Sequence, residues 1–368
     1  MMPVRILVIS NYSDFHATRP EAAIFIALAK RGFEVHIMTR PNSPHREAFE
    51  QAGIQVIDFH PEKKWDKAEI QRIRDFILEK QIDIMQLFNS KSIVNGIKAA
   101  KGLPVKVVLY RGYAGNIHWY DPFAYTKYLH PRVDAVVCNS VGVRDYLQSI
   151  PGFKKEKAIS INKGHDTDWY VSGNRYDIRA ELGLPENAFL VVNVANNRRM
   201  KGIPWLLKAM NIIPANLPVH LLLIGKGMDN RQNLRIVRAV GNEGRIHFAG
   251  FRNNVLDILP SCDLFALSSI KGESITKAVI EAMSLAVAPI ITNIPGNVEL
   301  VEHGISGLVV PAKDEEAMAS AILKCYHEPD FREKLGFGAQ KHIQTRLNTE
   351  RTVNEYVQFY DGLLDRDL

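Results

Sequence analysis

At 368 residues, with 46% hydrophobic and 23% charged side chains, the chain is too long for one ordinary core and has the composition of a soluble globular protein of two domains. No run of about 18 apolar residues is present, which excludes a spanning helix, and three scattered cysteines (Cys138, Cys262, Cys325) exclude a disulfide framework or finger spacing. Residues 1–165 hold 24 Lys and Arg against 16 Asp and Glu, whereas the remainder holds 22 against 24, so a net +8 stands beside a net −2.

A basic first half implies an anionic partner. No nucleic-acid motif or aromatic–basic repeat is present, which leaves an anionic membrane surface or an acidic acceptor. The first apolar run, Arg5–Ser10, is too short for a secretory leader and reads as a buried strand. With the reduced thiols it predicts a cytoplasmic protein, peripheral at the inner face of a membrane.

Further strands are predicted at Glu34–Met38, Gln55–Phe59, Asp83–Leu87, Lys106–Tyr110 and Ala135–Asn139. Amphipathic helices at Glu21–Arg31, Lys67–Lys80 and Val141–Ser149 alternate with them. Asn11–Pro20 reads as a loop. Trp65 among Lys63, Lys64 and Lys67 heads the second of these helices, where packing on the sheet with a solvated basic rim is favoured over a membrane contact. Continuously apolar strands imply a parallel sheet covered on both faces.

A polar stretch, Asn162–Asn187, follows and marks a hinge. The alternation then repeats. Strands are predicted at Leu190–Val194, His220–Ile224, Arg245–Phe248, Leu264–Leu267, Ala288–Thr292 and Gly307–Val310, with helices at Pro204–Ile213, Arg231–Val240, Ile275–Leu285 and Glu315–His327. The expected domains are 1–165 and 166–349, with a terminal helix, 350–368, packing back on the first. Val353, Tyr356, Val357, Tyr360 and Leu364 give that helix one apolar face. Ligands of such sheets bind at the carboxyl ends of the strands, so a cleft is expected near the hinge.

The most informative segment runs from Lys271 to Met283. Glu273 falls in the turn before a helix and Glu281 about two turns inside it, roughly 9–12 Å apart along the axis. Between them lie the free N–H groups of a helix N-terminus, an anion seat formed by Ser274, Ile275, Thr276 and Lys277. Carboxylate, anion seat and carboxylate in line suit a sugar, a diphosphate and a ribose. Upstream, Lys201 with Arg198 and Arg199 would neutralise a diphosphate. Gly225-Lys226-Gly227 permits close backbone approach to a nucleotide, or is an ordinary strand-to-helix turn.

Glu273–Met283, then Pro295-Gly296-Asn297 through Pro311, resembles the donor half of the family 4 retaining glycosyltransferases. Asn162-Lys163-Gly164-His165-Asp166, Lys201-Gly202 and Cys138-Asn139-Ser140 are similar to further motifs of that family. The resemblance implies the GT-B fold, two facing Rossmann-like doubly wound parallel-sheet domains with an interdomain cleft. It also implies a hexosyl donor of UDP or GDP type as co-substrate, no cofactor or essential metal, and a glycan or lipid-linked acceptor in cell-envelope polysaccharide or lipopolysaccharide synthesis. By this resemblance Lys201 contacts phosphate, assisted by Arg199, Arg198 and the backbone at Gly225 and Gly227. Glu281 takes the ribose, Glu273 the sugar, and Arg252 lies in the loop that holds the base.

The first domain departs from the pattern. Asn11–Pro20 lacks the usual double glycine, and Arg111 stands where a histidine is common, so His118 and His16 become candidates for hydrogen bonds to donor sugar or acceptor. Asp166-Thr167-Asp168 is read as fixing the linker and capping Trp169-Tyr170 rather than as a metal site. Another GT-B nucleotide-sugar enzyme (epimerase or hydrolase) and a non-catalytic nucleotide-sugar binder are the alternatives.

Overall fold

Runs such as Arg5-Ile6-Leu7-Val8-Ile9 and Phe189-Leu190-Val191-Val192 become strands because branched side chains on both faces leave no solvent side. The structure is a computed structural model and describes residues 3–364. The chain divides into two units. One runs to His165 and takes the chain up again at Leu347; the other is Asp166–Arg346.

The first unit opens with β1 (Arg5–Ile9), α1 (Phe15–Lys30), β2 (Glu34–Thr39), α2 (Arg46–Gln51) and β3 (Gln55–Asp58). It continues with α3 (Lys67–Glu79), β4 (Ile84–Leu87), α4 (Ser90–Ala99) and β5 (Lys106–Arg111). After a long connection come β6 (Ala135–Cys138), α5 (Val141–Gln148) and β7 (Ala158–Ser160). The second unit contains α6 (Ile178–Glu181), β8 (Phe189–Val194), α7 (Ile203–Ile212), β9 (Val219–Ile224), α8 (Arg231–Arg238) and β10 (Ile246–Gly250). Then follow α9 (Val255–Ile258), β11 (Leu264–Leu267), α10 (Lys277–Ser284), β12 (Pro289–Thr292), β13 (Leu308–Val310), α11 (Glu315–His327) and α12 (Pro329–Arg346). The last helix, α13 (Thr349–Leu363), belongs to the first unit.

Both sheets are parallel. Their orders are β3-β2-β1-β4-β5-β6-β7 and β10-β9-β8-β11-β12-β13. Each therefore reverses direction beside its first strand, between β1 and β4 in one and between β8 and β11 in the other. Loops leaving the carboxyl ends of those strands diverge there, the standard ligand position in doubly wound sheets.

Several expectations shift. α1 begins at Phe15 rather than at Glu21, because Asp14 caps it by accepting from Ala17 N at 2.7 Å and Pro20 is carried inside the helix. His16 is thus a first-turn helical residue, not a loop residue. α4 went unpredicted although Lys91, Asn95 and Lys98 recur at helical spacing against Ile93, Val94 and Ile97. α12 and β7 were also missed. The Glu315–His327 helix falls where periodicity placed it, with Asp314 as its cap.

α13 packs Val353, Tyr356 and Tyr360 into the same core as Phe25 and Leu28 of α1. Tyr360 donates to Gln86 Oε1 of β4 at 3.1 Å, satisfying two buried polar groups at once. The expected helix 350–368 extends beyond the described residues. All three cysteines are buried, and burial pushes the Cys138 and Cys262 thiols up to about 12 and Cys325 to about 11.

Candidate functional site

The strand reversal in the second unit brings together two charged residues that lie far apart in the chain. β8 ends at Val194 and its loop leads to Lys201; β11 ends at Leu267 and its loop leads to Glu273. Lys201 Nζ lies 2.5 Å from Glu273 Oε1. Ser269 donates to the same carboxylate oxygen at 2.7 Å, and Thr276 donates to the other at 3.3 Å. The carboxylate is almost fully covered, its side chain 10% exposed against 17% for the lysine. A buried carboxylate needs this density of donors.

The loops are held in place by backbone contacts. Ile270 N donates to Met200 O at 2.7 Å, and Ser268 Oγ to Lys201 O at 3.0 Å. Gly202 adopts a left-handed conformation (φ +64°), and a Cβ there would lie 2.0 Å from Ser268 O. Only glycine lets the two loops approach this closely. Thr292 Oγ1 donates to Ser269 O at 2.5 Å from the end of the next strand, β12. Ser269, Thr292 and Asn297 are buried polar residues that motif reading did not assign. The polar pair Ser268-Ser269, following a wholly apolar strand, was the available signal.

Glu281 lies in the second turn of α10, nearer its start than expected, because the helix begins at Lys277 and not at Ile275. Its carboxylate pairs with Lys277 Nζ at 2.9 Å. Thr276 is the N-cap but makes no side-chain capping bond, its hydroxyl being given to Glu273. The N-cap side chain thus leaves the first turn of α10 uncapped beside the Lys201–Glu273 pair, while Val279 N turns back to Thr276 O at 3.1 Å. Ser274 is buried there, Ile275 is half-buried and Lys277 exposed.

Arg198 and Arg199 lead into the Lys201 turn, both exposed, and neither forms an ion pair among the described residues. Gly225 takes φ +146° for a structural reason: a Cβ would lie 1.8 Å from Ala195 O of the neighbouring loop. Gly227 also has positive φ. Lys226 N donates to Asn196 Oδ1 at 3.1 Å, so this turn is tied to the loop carrying Arg198 and Lys201. Arg252 bonds Ala249 O and pairs with Glu181 of α6. Asp166 accepts from Asp168 N at 3.0 Å and caps the turn Thr167–Tyr170, the capping role expected of it.

In the first unit, Arg111 ends β5. It is buried, with Nε donating to Tyr113 O at 2.9 Å, a second donor on Gly115 O, and its guanidinium 3.7 Å from the Tyr113 ring centroid. These contacts fasten the loop that follows β5. His118 is exposed and stacked on Tyr120, ring centroids 5.1 Å apart. His16 is exposed on α1, edge-on to Phe15.

Residues 174–342 match the family model described as Glycosyl transferases group 1, and residues 23–169 match that of Glycosyltransferase Family 4. The chain belongs to the family 4 glycosyltransferases. Among relatives of this family 4 chain, the N-acetyl-alpha-D-glucosaminyl L-malate synthase of Bacillus anthracis is 26% identical over 54% of this chain and 52% of its own length. The lipopolysaccharide core biosynthesis glycosyltransferase LpsD of Rhizobium meliloti is 25% identical over 50% of this chain and 52% of its own. The chain thus spans about half the length of these curated relatives. Anabaena HepE, solved in complex with UDP, superposes with a TM-score of 0.78 over 98% of this chain and 100% of that one at 20% identity. That likeness is one of fold, and the two parallel-sheet α/β units are those of the GT-B class.

Proposed function

We propose that this family 4 chain is a retaining glycosyltransferase. It would move a sugar from a UDP- or GDP-type donor to a glycan or lipid-linked acceptor in cell-envelope polysaccharide synthesis. The observation that carries the reading is the Lys201–Glu273 pair at the strand reversal, beside an uncapped helix start and Glu281. Relatives named for lipopolysaccharide core synthesis and a fold neighbour solved with UDP support it.

In this reading both ion pairs are placeholders. The donor diphosphate takes Lys201 from Glu273, and Arg199, Arg198 and the first-turn N–H groups of α10 complete its cradle. Glu273 keeps Ser269 and Thr276 and turns its released lone pairs to hydroxyls of the transferred sugar. Glu281 exchanges Lys277 for the two ribose hydroxyls, which a carboxylate accepts well. As the glycosidic C–O bond breaks, charge grows on the departing phosphate, where Lys201 is placed to stabilise it. The attacking hydroxyl approaches from the same face and passes its proton to that phosphate, so the configuration is retained without an enzyme nucleophile. The basic first unit would supply the acceptor side, with His118 and His16 as its candidate hydrogen-bonding groups. No metal is called for, and activity persisting in chelator checks this point.

Melting the protein against a panel of nucleotide sugars tests the proposal. One donor class should raise the melting temperature by mass action and fail to do so in Glu281→Ala. Unchanged donor affinity of Glu281→Ala by calorimetry would remove the ribose assignment, and indifference of the wild type to every nucleotide sugar would remove the function.

A further inference from the structure

The first unit holds a cavity of about 200 Å³ before the amino ends of β6 and β7, whereas its strand reversal lies at carboxyl ends. Two segments form the walls: residues 125–131, which lead toward β6, and residues 151–157, which lead into β7. Lys157 ties the segments together by donating to Pro131 O at 3.2 Å and to Val133 O. Gln148 Nε2 of α5 donates to Lys155 O at 3.0 Å. Tyr125 OH donates to Trp119 O at 2.9 Å, and Tyr128 OH to Tyr110 O at 3.2 Å. The walls are therefore held by bonds among themselves, and the cavity is formed in advance of any occupant.

Its lining has one chemistry. Tyr125, Tyr128, Leu129 and Phe153 supply apolar area, and the side chains bearing nitrogen are His130, Lys154 and Lys157. No carboxylate, amide, serine or threonine lines it. Both tyrosine hydroxyls and Lys157 already serve carbonyl oxygens, so two groups remain for an occupant. Lys154 is exposed and forms no ion pair among the described residues. His130 Nδ1 accepts from Arg132 N at 3.0 Å, which puts the proton of the neutral ring on Nε2 and makes that atom a donor. Burial, then the charges of Lys98, Arg132 and Lys157, lower the His130 imidazole from its ordinary value. The acids in reach do not cancel this field: Asp134 is paired with Arg132, and Glu156 is exposed outside the lining.

Size and lining select the occupant. An apolar cavity of about 150 Å³ takes one benzene ring, so the larger volume here admits a ring bearing one carboxyl group. A sugar of that size would bury hydroxyls against walls that offer no carboxylate or amide to accept from them. We propose that this cavity binds a small planar aromatic acid, its ring against Tyr128 and Phe153 and its carboxylate toward Lys154 and His130. Tyr128 also carries the Arg111 guanidinium 4.9 Å from its ring centroid, which ties occupancy to the end of β5. The site belongs to the first unit alone and does not rest on the donor assignments above.

Titration of the full chain with benzoate, followed by calorimetry and by thermal melting, tests it. Benzoate should bind saturably at about 1 mM or tighter and raise the melting temperature by mass action. Benzamide keeps the ring without the charge and acetate the charge without the ring, and each should bind about ten-fold more weakly or worse. Lys154→Met should weaken benzoate about ten-fold, and because the side chain is exposed the free protein should melt as before. Leu129→Phe fills the cavity and should abolish binding; should that variant fail to fold, Lys154→Met still decides. Absence of saturable benzoate binding, equal binding of acetate or benzamide, or full affinity in Lys154→Met would each overturn the proposal. So would tighter binding of glucuronate than of benzoate, since that outcome makes the cavity a sugar seat. The melting shift produced by nucleotide sugars should be the same in Lys154→Met as in the wild type, which keeps this result separate from the fate of the enzyme reading.

Discussion

The two sheets reverse strand order in the same way but line the reversal with different chemistry. In the second unit the strand-end loops carry a lysine and a glutamate paired with each other. In the first they are joined by neutral groups: Asn11 N donates to Asn89 Oδ1 at 3.0 Å, and His60 Nε2 lies 2.8 Å from the same oxygen and 3.1 Å from Ser92 Oγ. Burial lowers the His60 imidazole from its ordinary value, which keeps it uncharged at neutral pH. Opposite charges thus meet at the strand reversal of the nearly neutral second unit, and neutral groups at that of the cationic first.

The strongest way to break this comparison is Lys201→Ala. Turnover should fall about 10²–10³-fold, with donor affinity falling by less, as separate single-turnover and calorimetric measurements would show. The same change strands a buried carboxylate and should cost about 3 kcal/mol of stability. Lys201→Met combined with Glu273→Gln should recover part of that melting loss without recovering turnover. Glu281→Ala comes next. Losing two charge-assisted hydrogen bonds at about 1.5 kcal/mol each predicts roughly hundred-fold weaker donor binding by calorimetry.

Asn89→Ala and Arg111→Met probe the opposite side of the comparison. Each unpairs buried backbone or side-chain groups and should lower stability by about 1–3 kcal/mol in thermal melts, with donor affinity unchanged. A loss of turnover in Arg111→Met at full stability would place that residue at the reacting centre.

The smallest effect concerns pH. His220 on β9 and His247 on β10 meet at 3.2 Å, and burial lowers both imidazoles from 6.5, with mutual charge adding to the effect on His220. The unfolded chain then binds protons more readily than the folded one. Stability is complete above pH 6.5 and declines as pH falls through that value. His247→Gln should flatten the melting temperature across this range.

Much of the architecture was local enough to read. Strands of branched apolar residues, a capped helix such as Asp314–His327, and the break at Asn162–Asn187 each depend on neighbours in the chain. Motif spacing brought attention to Glu273, Glu281 and Lys201 for the same reason. Where local cues conflicted, reading failed: Pro20 hid the start of α1.

By itself the sequence determined the alternation of strands and helices and the two α/β units, and it singled out Lys201, Glu273 and Glu281 as candidates. Only the tertiary structure decided which of those charges meet. Lys201 and Glu273 are joined by the strand order β8–β11, Ser269 and Thr292 by adjacent strand ends, and Arg111 is withdrawn into its own loop. The reason is physical. Propensity and capping act over a few residues, whereas a buried charge takes its partner from whatever the folded sheet sets beside it, however distant in the chain.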